Sequence, residues 1–148
     1  MDDIDVLVTV LKSAEEGDSE AQYLIGSAYF KGENSLSQDS DVAFKWLHLA
    51  AEQGHEKAMH SIGWMYFKGE GTSVDKEKTA YWWRKLADKG NAESQYNLGF
   101  LYGYGLGVPL DATESQKWLQ KALDNGYTKA SDILDGLPEY QKYREQCN

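Results

Sequence analysis

The sequence is poor in cysteine, in long apolar runs and in basic charge. Its single cysteine, Cys147, has no second cysteine to pair with, which excludes a disulfide framework within the chain. No run of eighteen apolar residues is present, so a membrane-spanning helix is not expected. The opening residues, Met-Asp-Asp-Ile-Asp, lack the positive charge that precedes the apolar stretch of a secretory signal. We therefore expect a cytoplasmic protein in a reducing compartment.

Basic side chains are outnumbered by acidic ones. The chain has 15 lysines and arginines against 24 aspartates and glutamates, a net charge of −9. A surface of this sign repels phosphate backbones and anionic lipids, and it attracts cationic partners. Neither nucleic acid nor a membrane is an expected partner, whereas a basic protein or peptide is. Length and composition fit one globular domain of 148 residues, 41% of them hydrophobic.

The sequence repeats with a period of about 36 residues. Tryptophans recur at this interval, at Trp46, Trp82 and Trp118. Each tryptophan is followed eight residues later by a glycine, at Gly54, Gly90 and Gly126, and Gly17 is the equivalent glycine at the start of the first repeat. We call these four residues the anchor glycines. Tyrosines follow the first three anchors at twelve residues, at Tyr29, Tyr66 and Tyr102. A period of this length indicates stacked helical hairpins.

Each repeat is predicted to contain two helices, helix A and helix B. Helix A of the first repeat covers about residues 19–31, where small and apolar residues recur at helical spacing. A glycine recurs inside helix A, where it costs about 1 kcal/mol relative to alanine, so we expect close approach of a neighbouring helix there. These glycines are Gly26, Gly63 and Gly99. Glycines also end helix A, at Gly32, Gly69 and Gly105.

Aspartates mark the start of helix B, which carries the repeated tryptophan. They stand seven residues before it as candidate N-caps, at Asp39, Asp75 and Asp111. The predicted organisation is a single solenoid domain over 1–148. It comprises a half-repeat helix at 1–17, repeats at 18–54, 55–90 and 91–126, and a C-terminal half-repeat with a polar closing helix, at about 139–146, within 127–148.

With these residues in one frame, the chain resembles the Sel-1-like repeat family, a branch of the tetratricopeptide superfamily. The second copy carries most of the family pattern, from Ala51 and Gly54 through Ala58, Gly63, Tyr66, Gly69 and Gly71. The first copy departs most, with Asn34 in place of the second turn glycine. The resemblance implies an all-α, α/α superhelical solenoid and a role in protein binding or scaffolding. Because no residue pattern in this chain points to an active site, we do not expect an enzyme.

The candidate binding residues are the positions of helix A that vary between copies while their neighbours repeat. They lie three, seven, ten and fourteen residues past each anchor glycine, and we call them the variable stripe. The stripe consists of Glu20, Leu24, Ser27, Lys31, Lys57, Ser61, Trp64, Lys68, Glu93, Asn97, Phe100 and Tyr104. The resemblance implies that this face lines a concave groove. Its aromatic residues serve either as anchors for a partner or as packing between neighbouring helices.

Other motifs favour structural interpretations. The repeated tryptophans serve the fold rather than a stacking platform, and Trp83 beside one of them is expected to be half-buried. The Gly103-x-Gly105-x-Gly107 string has neither the preceding strand nor the following lysine of a phosphate loop. His48, His55 and His60 lack the spacing of a helical metal site, and Cys147 lies in the tail, so neither a metal, a cofactor nor a catalytic residue is expected.

Three alternatives to a general adaptor stay open at this point. Small acidic repeat proteins of this kind resemble immunity proteins that neutralise a basic toxin. Some cysteine-rich relatives are linked to hydrolysis of β-lactam or peptidoglycan-like substrates, but the repeats of this chain contain no cysteine. Self-association through the solenoid ends or the groove is the third alternative.

Overall fold

The computed structural model describes residues 2–137, which form eight α-helices and no strand. Each of the first seven is 13 residues long. The helices are α1 Asp3–Glu15, α2 Ser19–Lys31, α3 Ser40–Glu52, α4 Glu56–Lys68, α5 Lys76–Asp88, α6 Ala92–Tyr104, α7 Ala112–Asp124 and α8 Ala130–Gly136. Helix A of the three repeats is α2, α4 and α6, and helix B is α3, α5 and α7. The predicted closing helix at 139–146 lies outside the described residues.

Glycines in the left-handed conformation end every helix A. Gly32, Gly69 and Gly105 have φ of 72°, 75° and 63°, and each donates its N–H to a carbonyl four residues earlier. A side chain with a Cβ is strained in this region of φ, so glycine is the residue that stops the helix at low cost. The predicted ends of helix A are thereby confirmed.

Short polar side chains start the helices. Asp39 accepts hydrogen bonds from the N–H groups of Asp41 and Val42 at the start of α3, and Asp111 accepts one from Glu114 at the start of α7. Asp18 and Asn91 perform the same function for α2 and α6. Each cap satisfies an N–H that has no partner within the helix.

The helices form two compact units, the first ending at Asp75 and the second beginning at Lys76. In the first unit a buried cluster of Ala14, Ala21 and Ile25 is covered by partly buried side chains that include Trp46. In the second unit Leu119, Ala122, Ala130 and Leu134 form the corresponding cluster.

Helix A and helix B of one repeat approach each other at the mid-helix glycine. A Cβ built on Gly26 would lie 2.7 Å from Leu47 Cγ, and one built on Gly99 would lie 2.7 Å from Leu119 Cγ. Contacts this short cannot be accommodated without movement of the neighbour. The expected close helix approach is confirmed at both glycines.

Trp83 corrects one prediction. We expected it to be half-buried, but only 1% of its surface is exposed. It stands seven residues before its anchor glycine, the position that Leu47 and Leu119 take in the other repeats, and both leucines are buried as well. The environment of this position is fixed by the repeat, and a larger side chain fills it.

Candidate functional site

Five residues of the variable stripe line one groove in the first unit. This α2–α4 groove has a volume of about 260 Å³. The five residues that the structure brings together there are Ser27, Lys31, Ser61, Trp64 and Lys68. Leu47 and Met65, both buried, also line it. The groove therefore combines an apolar lining with one large aromatic ring and two lysines.

Trp64 is held in position by neighbours on its own helix. Its ring is half-buried and meets the Phe67 ring edge-on, with centroids 5.6 Å apart and planes at 81°. The Lys68 ammonium lies 5.6 Å from the Trp64 ring centroid, within the range of a cation–π contact. An indole fixed in this way loses little conformational freedom when a ligand packs on it.

The other stripe lysines of the first unit also have local neighbours. Lys31 Nζ lies 3.8 Å from Glu33 Oε2, with both side chains more than half exposed. Lys57 Nζ lies 5.9 Å from the centroid of the Tyr23 ring. Exposed pairs of this kind are worth less than about 1 kcal/mol, so a bound partner could displace them at small cost.

Glu20 is engaged in a link between α2 and the start of α4. Its Oε2 lies 2.8 Å from His55 Nε2, while His55 Nδ1 accepts the Ala58 N–H at 3.2 Å as the N-cap of α4. Because Nδ1 is an acceptor, the ring proton sits on Nε2 and is donated to Glu20. The His55 ring stacks on Tyr23 with centroids 4.6 Å apart. Glu20 thus has a structural partner as well as a place in the stripe.

Leu24 lines a second groove of the first unit, between α1 and α2. This α1–α2 groove has a volume of about 360 Å³ and is also lined by Val6 and Val10. Leu24 is 46% exposed, as is Val6. Ser27 and Lys31 border both grooves, since α2 stands between them.

The stripe residues of the second unit lie on α6. Phe100 is half-buried, and Tyr104 is 62% exposed, with their ring centroids 4.6 Å apart. Glu93 is exposed at the start of the same helix. This unit therefore presents a pair of adjacent aromatic rings.

Asn97 corrects the predicted stripe. Only 6% of its surface is exposed, and among the described residues its Nδ2 has no hydrogen-bond partner. A side chain so enclosed has little surface to offer a partner. Leu24 and Ser61 occupy the same repeat position and are accessible, so the exposure of this position differs between the copies.

Two tyrosines of the second unit have raised pKa values. The rings of Tyr96 and Tyr127 lie 4.9 Å apart. Burial raises the pKa of the Tyr96 hydroxyl above its usual 10, and the nearby Tyr127 raises it further. Burial also raises the pKa of Tyr127, with a smaller contribution from Glu93. Both hydroxyls stay neutral through the physiological range, which suits packing rather than nucleophilic chemistry.

The histidines, the glycine string and the helices themselves bear on metal, phosphate and membrane binding. Within residues 2–137, no group of three or more histidine, cysteine or acidic side chains is arranged to hold a metal ion. Gly105 and Gly107 occupy the turn after α6, with φ of 63° and 71°. None of the described helices has the length and hydropathy needed to cross a bilayer.

Sequence reasoning missed several residues that line the α2–α4 groove. Tyr23, Phe30 and Glu70 contribute to it besides the stripe and the apolar lining. One signal was present: rings recur six residues past the anchor, at Tyr23, His60 and Tyr96. This regularity was hidden because the stripe was selected for variation rather than for recurrence.

The excess negative charge belongs to the first unit. Residues 1–75 contain 14 aspartates and glutamates and 5 lysines, whereas residues 76–148 contain 10 acidic and 10 basic side chains. Three of the five lysines belong to the variable stripe. The first unit thus carries the whole net charge of −9, and its lysines are concentrated on one face of helix A.

Comparison with known proteins agrees with this architecture. The Sel1 repeat model matches residues 19–55, 56–91 and 92–127. Among solved structures, a Sel1 repeat protein from Oxalobacter formigenes is 35% identical over 88% of this chain and 97% of its own, with a TM-score of 0.77. A protective antigen of uropathogenic Escherichia coli, c5321, which displays an SLR fold, is also 35% identical, with a TM-score of 0.80.

The extent of these likenesses differs. The match to the Escherichia coli antigen covers 86% of this chain but 27% of the antigen, so the chain spans about a quarter of that protein. Helicobacter pylori cysteine rich protein B is 20% identical over 88% of this chain and 93% of its own, with a TM-score of 0.64, which shows a shared fold alone. No curated protein matches the sequence.

Proposed function

We propose that this chain, which belongs to the Sel1 repeat family, is a non-enzymatic adaptor. It binds a segment of a partner protein in the α2–α4 groove. Sel1 repeats are typically protein-interaction scaffolds and are generally not catalytic. Fold membership alone leaves the site open, so the location of binding has to be argued from the residues.

One observation carries the proposal: five positions selected because they vary between repeats line the same groove. Variation on a repeated framework is expected where a surface serves recognition rather than stacking. Trp64 supplies a large half-buried ring, and buried Leu47 and Met65 supply an apolar lining. An aromatic anchor in such a setting is the usual composition of an interface hot spot.

The segment that enters the groove is proposed to be apolar at its centre. The two lysines that border the groove already lie beside protein groups, Lys31 beside Glu33 and Lys68 beside the Trp64 ring. Elsewhere the first unit is strongly acidic, which favours a partner of net positive charge. Charge of this kind accelerates association, while the apolar contacts determine how slowly the complex dissociates.

A second candidate is an immunity-type function, favoured by the concentration of acidic residues in the first unit. In this case the partner is a basic toxin whose active site is blocked by the bound protein. Hydrolysis of β-lactam-like substrates is a weaker alternative, because the three repeats contain no cysteine. The immunity function predicts that the bound partner loses an enzymatic activity, whereas the adaptor function predicts that it retains its activity.

The test is affinity capture of the partner followed by titration of the identified protein against variants. Trp64→Ala should weaken binding about thirtyfold, because a hot-spot side chain is worth about 2 kcal/mol or more. Tyr81→Ala is the matched control, since Tyr81 is 53% exposed on α5 and does not line the groove. Phe100→Ala measures whether the second unit contributes.

Circular dichroism and the urea midpoint of each variant report whether the fold is intact. Loss of affinity in Trp64→Ala with unchanged helicity supports the groove. Equal affinity of Trp64→Ala and the unmodified chain would refute it and would move the site to another surface.

A further inference from the structure

In the first and third repeats, helix B has a face that receives helix A of the same repeat. Leu47 of α3 contacts α2 at Gly26, and Leu119 of α7 contacts α6 at Gly99. Ser115 of α7 lies on the same face and donates its Oγ–H to the Gly99 carbonyl at 2.7 Å. These residues stand seven and eleven positions before the anchor glycine, so the receiving face can be located on any helix B by counting.

The same face exists on α1, which is the helix B of a half-repeat. Val10 stands seven residues before Gly17, and Val6 stands eleven before it. The equivalents of Val6 are Ala43, Thr79 and Ser115, and all three have 0% exposure, whereas Val6 is 46% exposed. Val10 is half-buried against the cluster of Ala14, Ala21 and Ile25, but among the described residues no helix covers Val6 in the way that α2 covers Ala43 of α3.

This partly exposed face of α1 forms one wall of the α1–α2 groove. Val6, Leu7 and Val10 line one side, and Leu24 and Ala28 of α2 line the other. Its volume of about 360 Å³ exceeds the 260 Å³ of the α2–α4 groove. The groove therefore lies where repeat geometry would position a further helix A, between a helix B and the next helix A.

We propose that the α1–α2 groove binds a basic amphipathic helix of a partner protein, which packs on α1 as α2 packs on α3. This second interaction surface shares Tyr23, Ser27 and Lys31 with the α2–α4 groove and differs from it in the wall that α1 supplies. The helix needs an apolar face with a small residue at its centre. At Gly26 and Gly99, the residues that meet this face elsewhere, any Cβ would lie 2.7 Å from a leucine side chain.

The acidic residues around the groove favour a bound helix of positive charge. Asp3 and Glu33 line the groove, and Asp2 and Asp5 flank Asp3 at the start of α1. Lys31 is the basic side chain that lines it, and its Nζ lies 3.8 Å from Glu33 Oε2. Since residues 1–75 carry 14 acidic against 5 basic side chains, lysines on the exposed face of the bound helix are favoured over glutamates.

The probe is a synthetic peptide that copies α2, residues Ser19–Lys31, with E20K and L24K substitutions and a cross-link on its exposed face. The cross-link is needed because a free helix of this length is marginal in water. Binding to the full chain is measured by fluorescence anisotropy, and the site is mapped from amide shifts in ¹⁵N-labelled protein. We expect saturable binding that shifts the amides of Val6, Val10 and Leu24 and weakens as salt is added.

Two peptide controls test the required chemistry. A G26L form of the peptide should bind at least tenfold more weakly, because glycine is the residue that meets this face of helix B in the first and third repeats, at Gly26 and Gly99. A form with glutamates at the two substituted positions should also bind at least tenfold more weakly. If all three peptides bind equally, or none binds, the proposal is refuted.

Two protein variants test the location. Val6→Asp should reduce affinity at least tenfold, and Val8→Asp is its matched control, since Val8 is 59% exposed on the same helix but does not line the groove. Equal losses in both variants would refute the proposal, as would shifts centred on Trp64. Trp64→Ala should leave peptide binding unchanged, which separates this test from that of the α2–α4 groove.

Sedimentation of the free chain tests whether a second copy occupies the groove. A dimer that Val6→Asp dissociates would assign the groove to a second copy and would also refute the proposal.

Discussion

The mid-helix glycine of α6 offers a sharp test of how the repeats pack. In Gly99→Ala, the new Cβ would lie 2.7 Å from Leu119 Cγ, 3.0 Å from its Cδ2 and 3.2 Å from its backbone nitrogen. Leu119 is fully buried, so its side chain has little room to rotate away. The backbone contact cannot be relieved by a rotamer change and requires the two helices to separate slightly.

Two opposing terms determine the magnitude. Replacement of glycine by alanine in a helix interior favours folding by about 1 kcal/mol. Overpacking of a well-filled core costs about 1–3 kcal/mol. Since both side-chain and backbone contacts are violated here, we expect the upper part of that range and a net loss of about 1–2 kcal/mol in the free energy of unfolding. The assay is urea denaturation followed by circular dichroism at 222 nm.

The matched control is Gly103→Ala in the same helix. Its Cβ would lie 2.9 Å from Ser115 Oγ, with no backbone atom among its nearest contacts. The hydroxyl can rotate, so the gain in helix propensity and the loss of one hydrogen bond should cancel to within about 0.5 kcal/mol. Leu119→Ala should reduce the cost of Gly99→Ala, as a double-mutant cycle would show. A Gly99→Ala chain that is more stable than the unmodified one would refute this account of the helix contact.

Two further predictions concern a cap and a tyrosine. His55→Ala should lower the free energy of unfolding by about 1 kcal/mol at neutral pH because the Ala58 N–H loses its acceptor, while His55→Asn, which keeps one, should cost less in the same urea titration. Tyr96 should ionise above pH 10 when absorbance is followed at 295 nm, and Tyr127→Phe should lower its pKa. Because folding raises the pKa of Tyr96, its neutral hydroxyl contributes to the free energy of unfolding below pH 10, and this contribution is lost as the pH rises through the pKa of the folded protein. A free energy of unfolding that increases in this pH range would contradict the raised pKa.

The helices could be predicted from the sequence because their ends are determined locally. Helix A was expected over 19–31 and runs from Ser19 to Lys31. A capping aspartate and a left-handed glycine define these bounds through the backbone next to them, so no knowledge of distant residues is required. The same reasoning located Gly26 against a neighbouring helix, because a costly glycine inside a helix needs a packing reason.

Burial of individual side chains could not be predicted in this way. The repeat gives every copy of a position the same register, yet exposure differs between copies: Leu24 is 46% exposed and Asn97 only 6%. Trp83 shows the converse error, since an unusual residue type suggested an unusual environment where the environment was the ordinary buried one. Exposure depends on which neighbours stand beside each copy, and a periodic sequence does not record this.

The first repeat has Asn34 where the other two repeats have their second turn glycine, and the α1–α2 groove explains this difference. A Cβ on Gly71 would lie 2.0 Å from the Ser40 carbonyl, and one on Gly107 would lie 2.0 Å from the Lys76 carbonyl, so these turns need glycine. The first repeat has Asn34 at this place, with φ of 55°, and Asn34 lines the α1–α2 groove. The requirement for glycine is therefore relaxed at the turn that borders the exposed face of α1. The altered turn and the exposed apolar side chain of Val6 therefore lie at the same edge, and this is the edge that the proposed partner helix would contact.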